Sequence, residues 1–285
     1  MKLTASIYNL KQLNKLIEYI DAAVIYTKEV SLYYEDIDLD KAISLCVNNN
    51  VTPIIAINKM LYSADLSLIE EFINKYKSSS KFLATDIAVY SIAKRLNCVD
   101  RIIYDPQTMI TNYLDLLEYS SLGFDSVAMS LEIPLVDLAS SINKTNSRVF
   151  YQIFGHRLMF YSKRNLISLY EEKANIKSSR NHLYLRESTR DDYFPVIENE
   201  NGTIIYRSYL VSLINELDEL NNLEYGYLES IYLEDSIYIN IIKLINSYKN
   251  NNISKEELIA SINKLNLNVN DGFKYQDSIY QKELF

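Results

Sequence analysis

Residues 53–76 read PIIAINKMLYSADLSLIEEFINKY, and they carry the fold in miniature. Pro53–Ile57 is a short apolar run without polar alternation, as expected of a parallel strand buried on both faces. Leu66, Ile69, Phe72, Ile73 and Tyr76 then recur at helical spacing. Strand followed by amphipathic helix is a βα unit, and the pattern extends both ways. Upstream, Leu3–Ile7 precedes Leu10, Leu13, Ile17 and Ile20 on one helical face, and Ala23–Thr27 precedes a helix over Asp40–Asn48. Downstream, Lys81–Thr85 leads into a helix over Asp86–Leu96. Arg101–Asp105 leads into Ile110, Tyr113, Leu114 and Leu117, and Asp125–Ser130 into a helix from Pro134. Arg148–Phe154 is the seventh strand, and the eighth falls within Tyr225–Leu233. Two closing helices follow, one with Ile237, Ile241, Leu244, Ile245 and Tyr248 on a face. The other opens with Ser254-x-x-Glu257, a capping-box pattern.

Eight such strands predict an α/β fold, a (β/α)8 TIM-like barrel, over a single domain of residues 1–285. A doubly wound open sheet is the alternative, but neither a G-x-G-x-x-G nor a P-loop pattern occurs to support it. Residues 155–223 interrupt the alternation. They hold a basic, polar stretch to Arg180, a strand-like run His182–Glu187, and two apolar runs flanking Asn201-Gly202, which is a hairpin signal. The reading is a small β-hairpin insertion after strand seven, at the C-terminal mouth where barrel active sites are built. The ring is open to distortion where this segment leaves and rejoins it.

Composition narrows the function classes. The chain is 48% hydrophobic and 23% charged, a folded globular balance, with a formal charge of −8 that argues against a surface built mainly for nucleic acid. A local basic patch stays compatible with that total. No stretch approaches the roughly 18–20 apolar residues of a membrane span. Lys2, Lys11, Lys15 and Glu18 break the start, so no signal-peptide block is expected there. Cys46 and Cys98 are too few for a disulfide framework, and a cytoplasmic, reducing location follows. Five glycines leave few places for backbone to approach a phosphate closely.

Several short motifs recur in order: Ala56-Ile57-Asn58 on strand three, Thr111-Asn112-Tyr113 after strand five and Glu132 after strand six. Met159-Phe160-x-Ser162-Lys163-Arg164 follows strand seven, then Tyr193-x-Pro195, Glu200-Asn201-Gly202-Thr203 and Asp271-Gly272-Phe273. In order and spacing they resemble the peptidase U32 family, the collagenase-like proteases, over essentially the whole chain. The short Firmicutes type is most similar, and that resemblance implies a role in tRNA wobble-uridine 5-hydroxylation. The departures are specific. Phe154 stands where the family often has His. Leu158 and Asn165 fall near the cysteines of iron–sulfur members. Leu131-Glu132 replaces an Arg-Glu pair, and Leu228-Glu229-Ser230-Ile231 lacks the lysine and glycine of a Lys-x-Glu-Gly pattern. A four-iron cluster needs about four thiolates, so neither an iron–sulfur cluster nor zinc is expected as cofactor.

Each candidate site residue has a functional and a structural reading. Asn58, Asp86, Asp105 and Glu132 sit at C-terminal strand ends and would converge on one mouth, as a polar pocket for a small acid or a nucleobase. Asp86 and Asp105 are favoured instead as helix caps. Ser162, Lys163 and Arg164 offer an anion site or a solvated turn. His156 lies among basic residues, and Asn201 at the hairpin turn; Asn112 completes the ligand-binding candidates. Lys163, Arg164, Lys173, Lys177 and Arg180 make a local basic run that an RNA phosphate or small anionic substrate would need. The tyrosines read as core or surface filler. Three functions remain: a tRNA-hydroxylation protein with tRNA as partner, a non-catalytic subunit of a fuller U32 paralogue, and a peptidase, for which no catalytic dyad is recognisable.

Overall fold

The computed structural model describes residues 1–178, 182–189 and 191–276. Arg180 of the basic run lies outside the described residues. The first half alternates as expected: β1 (Lys2–Ile7), β2 (Ala22–Ile25), β3 (Thr52–Ile57), β4 (Lys81–Ala84), β5 (Ile102–Tyr104), β6 (Ser126–Ala128) and β7 (Val149–Ser162). The intervening helices are α1 (Leu10–Leu16), α2 (Leu39–Asn48), α3 (Leu66–Tyr76), α4 (Ala88–Arg95), α5 (Tyr113–Ser121) and α6 (Leu135–Lys144). After the insertion come β11 (Tyr225–Leu228), α8 (Asp235–Lys249) and α9 (Lys255–Asn263). The eighth barrel strand thus falls inside the expected Tyr225–Leu233. The capping box of α9 is present, with the Glu257 N–H donating to Ser254 Oγ at 3.2 Å and the Ser254 N–H to Glu257 Oε2 at 2.8 Å.

Strands β1 to β7 pair in sequence order, and β11 pairs parallel with both β1 and β7. That double pairing closes an eight-stranded parallel ring and rules out the open sheet. Pleat explains why the strands are apolar throughout. Ala22, Val24, Ile54, Ala56 and Phe150 fill the barrel interior. Their neighbours Ala23, Ile25, Ile55 and Ile57 face outward onto Leu13, Ile43, Ile69 and other helix residues. Among the described residues, no helix is long and apolar enough to cross a membrane.

The two ends of the barrel differ. At the strand starts, Asp125 accepts from Lys81 Nζ at 2.6 Å, from Arg148 at 2.9 Å and from the Tyr225 hydroxyl at 3.0 Å. This network, buried at Asp125 and Tyr225 and open to solvent at Arg148, plugs the N-terminal end. The C-terminal end is left open by comparison, under the insertion.

Strand seven does not end at Phe154, the boundary its sequence suggests. It leaves the ring and runs on to Ser162, where it pairs antiparallel with β10 (Gly202–Ser212). Gly155 stands at the departure with φ +116°, and a Cβ there would lie 2.4 Å from the Glu229 carbonyl oxygen. Only glycine lets the two backbones pass so closely. Beyond β7, helix α7 (Leu166–Ala174) occupies part of the basic, polar stretch, where no helix is expected from the sequence. Then β8 (Leu183–Leu185) and β9 (Phe194–Asn199) follow, and β9 and β10 form the expected hairpin around Asn201-Gly202. Gly202, at φ +119°, presses on the Ser162 backbone where no Cβ would fit.

Candidate functional site

A cavity of about 220 Å³ opens at the C-terminal mouth. Its lining follows one rule. The first residue beyond each of β1 to β6 and β11, namely Tyr8, Tyr26, Asn58, Thr85, Asp105, Met129 and Glu229, faces it. β7 adds Gln152 and His156 from its own length, and Phe160 and Tyr161 where it arches over the opening. These positions are scattered along the chain, and only ring closure brings them together.

Glu229 is the floor of the site. Its carboxylate accepts from Tyr227 at 2.6 Å, from Tyr8 at 2.9 Å and from the Ile231 N–H at 3.0 Å. Tyr26 extends the network through a 2.7 Å hydroxyl contact with Tyr227, and its ring stacks on Tyr8 with centroids 4.6 Å apart. Burial raises the Glu229 carboxyl above its usual range, against the downward pull of the Tyr227 and Tyr8 hydrogen bonds. Burial likewise lifts the hydroxyls of Tyr8, Tyr26 and Tyr227, with the Glu229 charge adding to it, so all three stay protonated donors at neutral pH. Far from being filler, these tyrosines form the wall of the site. The signal that could find them in the sequence is their place one step past, or at the end of, a barrel strand.

Asp105 is the second carboxyl of the wall, half-buried where the cavity meets it. One oxygen accepts from the Gln107 N–H at 3.0 Å in the loop after β5, so Asp105 is not the helix cap expected of it; α5 starts eight residues on and is capped by Asn112, and Asp105 lines the cavity instead. Burial pushes its carboxyl up to about 6. Asp86, by contrast, holds the Ala88 N–H at 2.8 Å as a cap should.

The structure brings some of the expected site residues together and separates others. Asn58 lines the cavity while its Oδ1 fixes the Leu32 N–H at 2.7 Å. Glu132 sits at the rim and pairs with Arg207 at 3.0 Å. His156 lines the wall, its Nδ1 donating to the Arg207 carbonyl at 2.8 Å, and burial lowers its pKa. Asn201 clips the hairpin to the loop after β2 by donating to the Leu32 carbonyl at 3.0 Å. Asn112 lies elsewhere, as the N-cap of α5. Ser162, Lys163 and Arg164 do not enter the cavity. Ser162 Oγ accepts from the Arg164 N–H at 3.2 Å, and Lys163 Nζ rests 3.5 Å from the Tyr62 ring centroid. The described lining contains no Lys or Arg, so an anion inside would meet Asp105 and Glu229 without a counter-charge.

The residues present do not fit an iron–sulfur cluster. Cys46 lies in α2 and Cys98 follows α4, both buried in the outer layer, where burial pushes the Cys46 thiol up to about 12 and the Cys98 thiol upward. A cluster is held by thiolates, which such surroundings disfavour. Among the described residues, no three His, Cys, Asp or Glu side chains are grouped to hold a metal ion.

Comparison with known proteins places this architecture. The chain is 22% identical over 271 residues to the tRNA hydroxylation protein P2 of Bacillus subtilis (strain 168), covering 85% of each chain. Its fold is similar to that of the U32 peptidase Mk0906, with a TM-score of 0.51 and 8% identity over 80% of this chain and 92% of that one. The sequence model of peptidase family U32 matches residues 9–271, nearly the whole of the barrel and its insertion. The chain belongs to peptidase family U32.

Proposed function

We propose that this protein acts in 5-hydroxylation of the tRNA wobble uridine in the cytoplasm, with the mouth cavity receiving the base, and that it does so without an iron–sulfur cluster of its own. The observation that carries the reading is a cavity walled by tyrosines and free of cations among its described lining residues. Enzymes that work on a base take it out of the stack and hold it between aromatic faces with hydrogen bonds to its edge. Uracil is neutral, planar and small enough for such a space. The Asn58 amide and the Asp105 carboxyl, both at C-terminal strand ends, offer a donor for a ring carbonyl and an acceptor for the ring N–H. The tyrosine wall excludes water from the ring face. The name of the Bacillus subtilis relative supports the same direction.

Mass spectrometry of tRNA nucleosides from a deletion strain tests this. The wobble 5-hydroxyuridine derivatives should fall, wild-type protein should restore them, and Asn58→Ala should not. An unchanged nucleoside profile in the deletion strain would reject the reading. A partner-subunit role is the second reading, favoured by the departures from the family pattern that the resemblance implies: Phe154 for its His, Leu131 for its Arg, Leu158 and Asn165 near its cysteines, and Leu228-Glu229-Ser230-Ile231 without its Lys and Gly. It predicts that the purified chain restores the nucleoside in extracts only when a U32 paralogue is present. The peptidase reading has less support, since no Ser or Cys shares the described lining with His156.

A further inference from the structure

The chain is acidic overall, yet one arc of the cavity rim is built from cations and exposed rings. Lys59 follows the cavity residue Asn58 at the end of β3, and Lys163 and Arg164 follow β7. Tyr62, 56% exposed, lies under the Lys163 ammonium, and Phe160, 43% exposed, continues the arc into the cavity. Lys59 Nζ donates to the Lys28 and Glu29 carbonyls at 2.6 and 3.2 Å, which holds its ammonium in place and leaves a third hydrogen. Burial lowers the Lys59 ammonium's pKa, while the charges of Glu200, Glu29 and Asp65 act on it more strongly than the repulsion from Lys163. Among the described residues, none of Lys59, Lys163 and Arg164 has a carboxylate within salt-bridge distance. The nearby acids are engaged by neutral donors instead: Glu29 by Thr27, Asp65 by the Tyr62 N–H, and Glu200 by Tyr34. Unpaired cations around an exposed ring stabilise the fold little, since an exposed cation–π contact contributes only weakly. They match the backbone and the bases of a single-stranded nucleic acid.

We propose that the Lys59–Tyr62–Lys163 arc docks the RNA strand beside the cavity: Tyr62 stacks a base flanking the one that enters, and the Lys59, Lys163 and Arg164 side chains take the adjoining phosphates. This rests on the tRNA reading of the cavity and adds the surface that presents the strand to it. The two halves of the arc come from segments about a hundred residues apart, so the barrel and its insertion must both be in place for it to exist.

Fluorescence anisotropy with a labelled anticodon stem–loop RNA and the full chain tests the docking. Base stacking on an aromatic is sequence-tolerant and strong enough that Tyr62→Ala should weaken binding about tenfold. Lys163→Gln should weaken it and reduce the log–log salt slope by about 0.7, one single-strand phosphate contact. Lys243→Gln is the control, a lysine over Tyr19 at 4.7 Å beside α1 and α8, and should leave binding unchanged. Wild-type-like binding by both rim variants would overturn the inference, as would an equal loss in Lys243→Gln, which would mean diffuse attraction. If wild type does not bind the RNA but the deletion strain lacks the modified nucleoside, the docking arc is overturned and the function stands. If binding and nucleoside phenotype are both absent, the tRNA reading falls and the arc with it.

Discussion

Replacing Asp105 with Asn should stabilise the protein at neutral pH while removing its function. Asp105 is half-buried at the cavity wall, and its carboxyl is raised from 3.8 to about 6 by loss of hydration. The folded chain therefore holds this proton over a pH range where the unfolded chain has lost it. Below about pH 3.8 the group costs nothing. The cost grows as pH rises through the window from 3.8 to about 6 and is constant above it. A rise of that size corresponds to about 3 kcal/mol at pH 7.5 and about 0.5 kcal/mol at pH 4, with water in the cavity trimming both. The amide of the Asp105→Asn variant would keep the oxygen that accepts the Gln107 N–H at 3.0 Å, so the turn survives. For a chain of this length, 3 kcal/mol is about 5 °C in melting temperature. Melting curves of wild type and Asp105→Asn from pH 4 to 7.5 should therefore diverge as pH rises, with the variant higher. A stabilisation independent of pH, or a variant less stable at pH 7.5, would refute the argument. Loss of tRNA hydroxylation alongside gained stability would mark the buried charge as kept for function.

Other outcomes follow from the same geometry. Glu229→Ala strands the Tyr8 and Tyr227 hydroxyls and the Ile231 N–H without their acceptor, and should cost about 2–4 kcal/mol in urea denaturation; Glu229→Gln, which keeps an acceptor, should cost clearly less. Equal losses would show that the hydrogen bonds are not the reason. Gly155→Ala drives a Cβ against the Glu229 carbonyl in a left-handed backbone conformation and should cost about 2 kcal/mol or more, together with nucleoside hydroxylation. At the other end of the barrel, Asp125→Ala leaves Lys81 without its buried partner and should destabilise by about 3–5 kcal/mol, whereas a change under about 1 kcal/mol would mean the plug is solvated. Anaerobic purification followed by metal analysis should give iron and zinc well below stoichiometric amounts, and stoichiometric iron would overturn the cofactor reading.

The sequence by itself determined the elements that depend on neighbours within a few residues. Apolar runs such as Ile54-Ile55-Ala56-Ile57, the helical spacing of Leu66 to Tyr76, the Ser254 cap and the Asn201-Gly202 turn are local contests between backbone, side chain and water, and each is decided in place. Their number pointed to eight strands. Closure was decided elsewhere, because β11 must pair with β1 across more than two hundred residues and no local pattern encodes that partner. The site depends on closure. Asn58 and Glu132 were legible as strand-end polar residues, but Tyr8, Tyr26 and Glu229 look like core or remnant until the ring sets them on one mouth. The length of β7 was also illegible, since its sequence suggests an end at Phe154 and Gly155 becomes a crossing point only when Glu229 lies against it. The charges follow the same division. Counting residues yields an acidic chain, and tertiary packing decides that Glu229 is buried and raised and that Lys163 stands over Tyr62, because both desolvation and Coulomb attraction depend on distance through space and not along the chain.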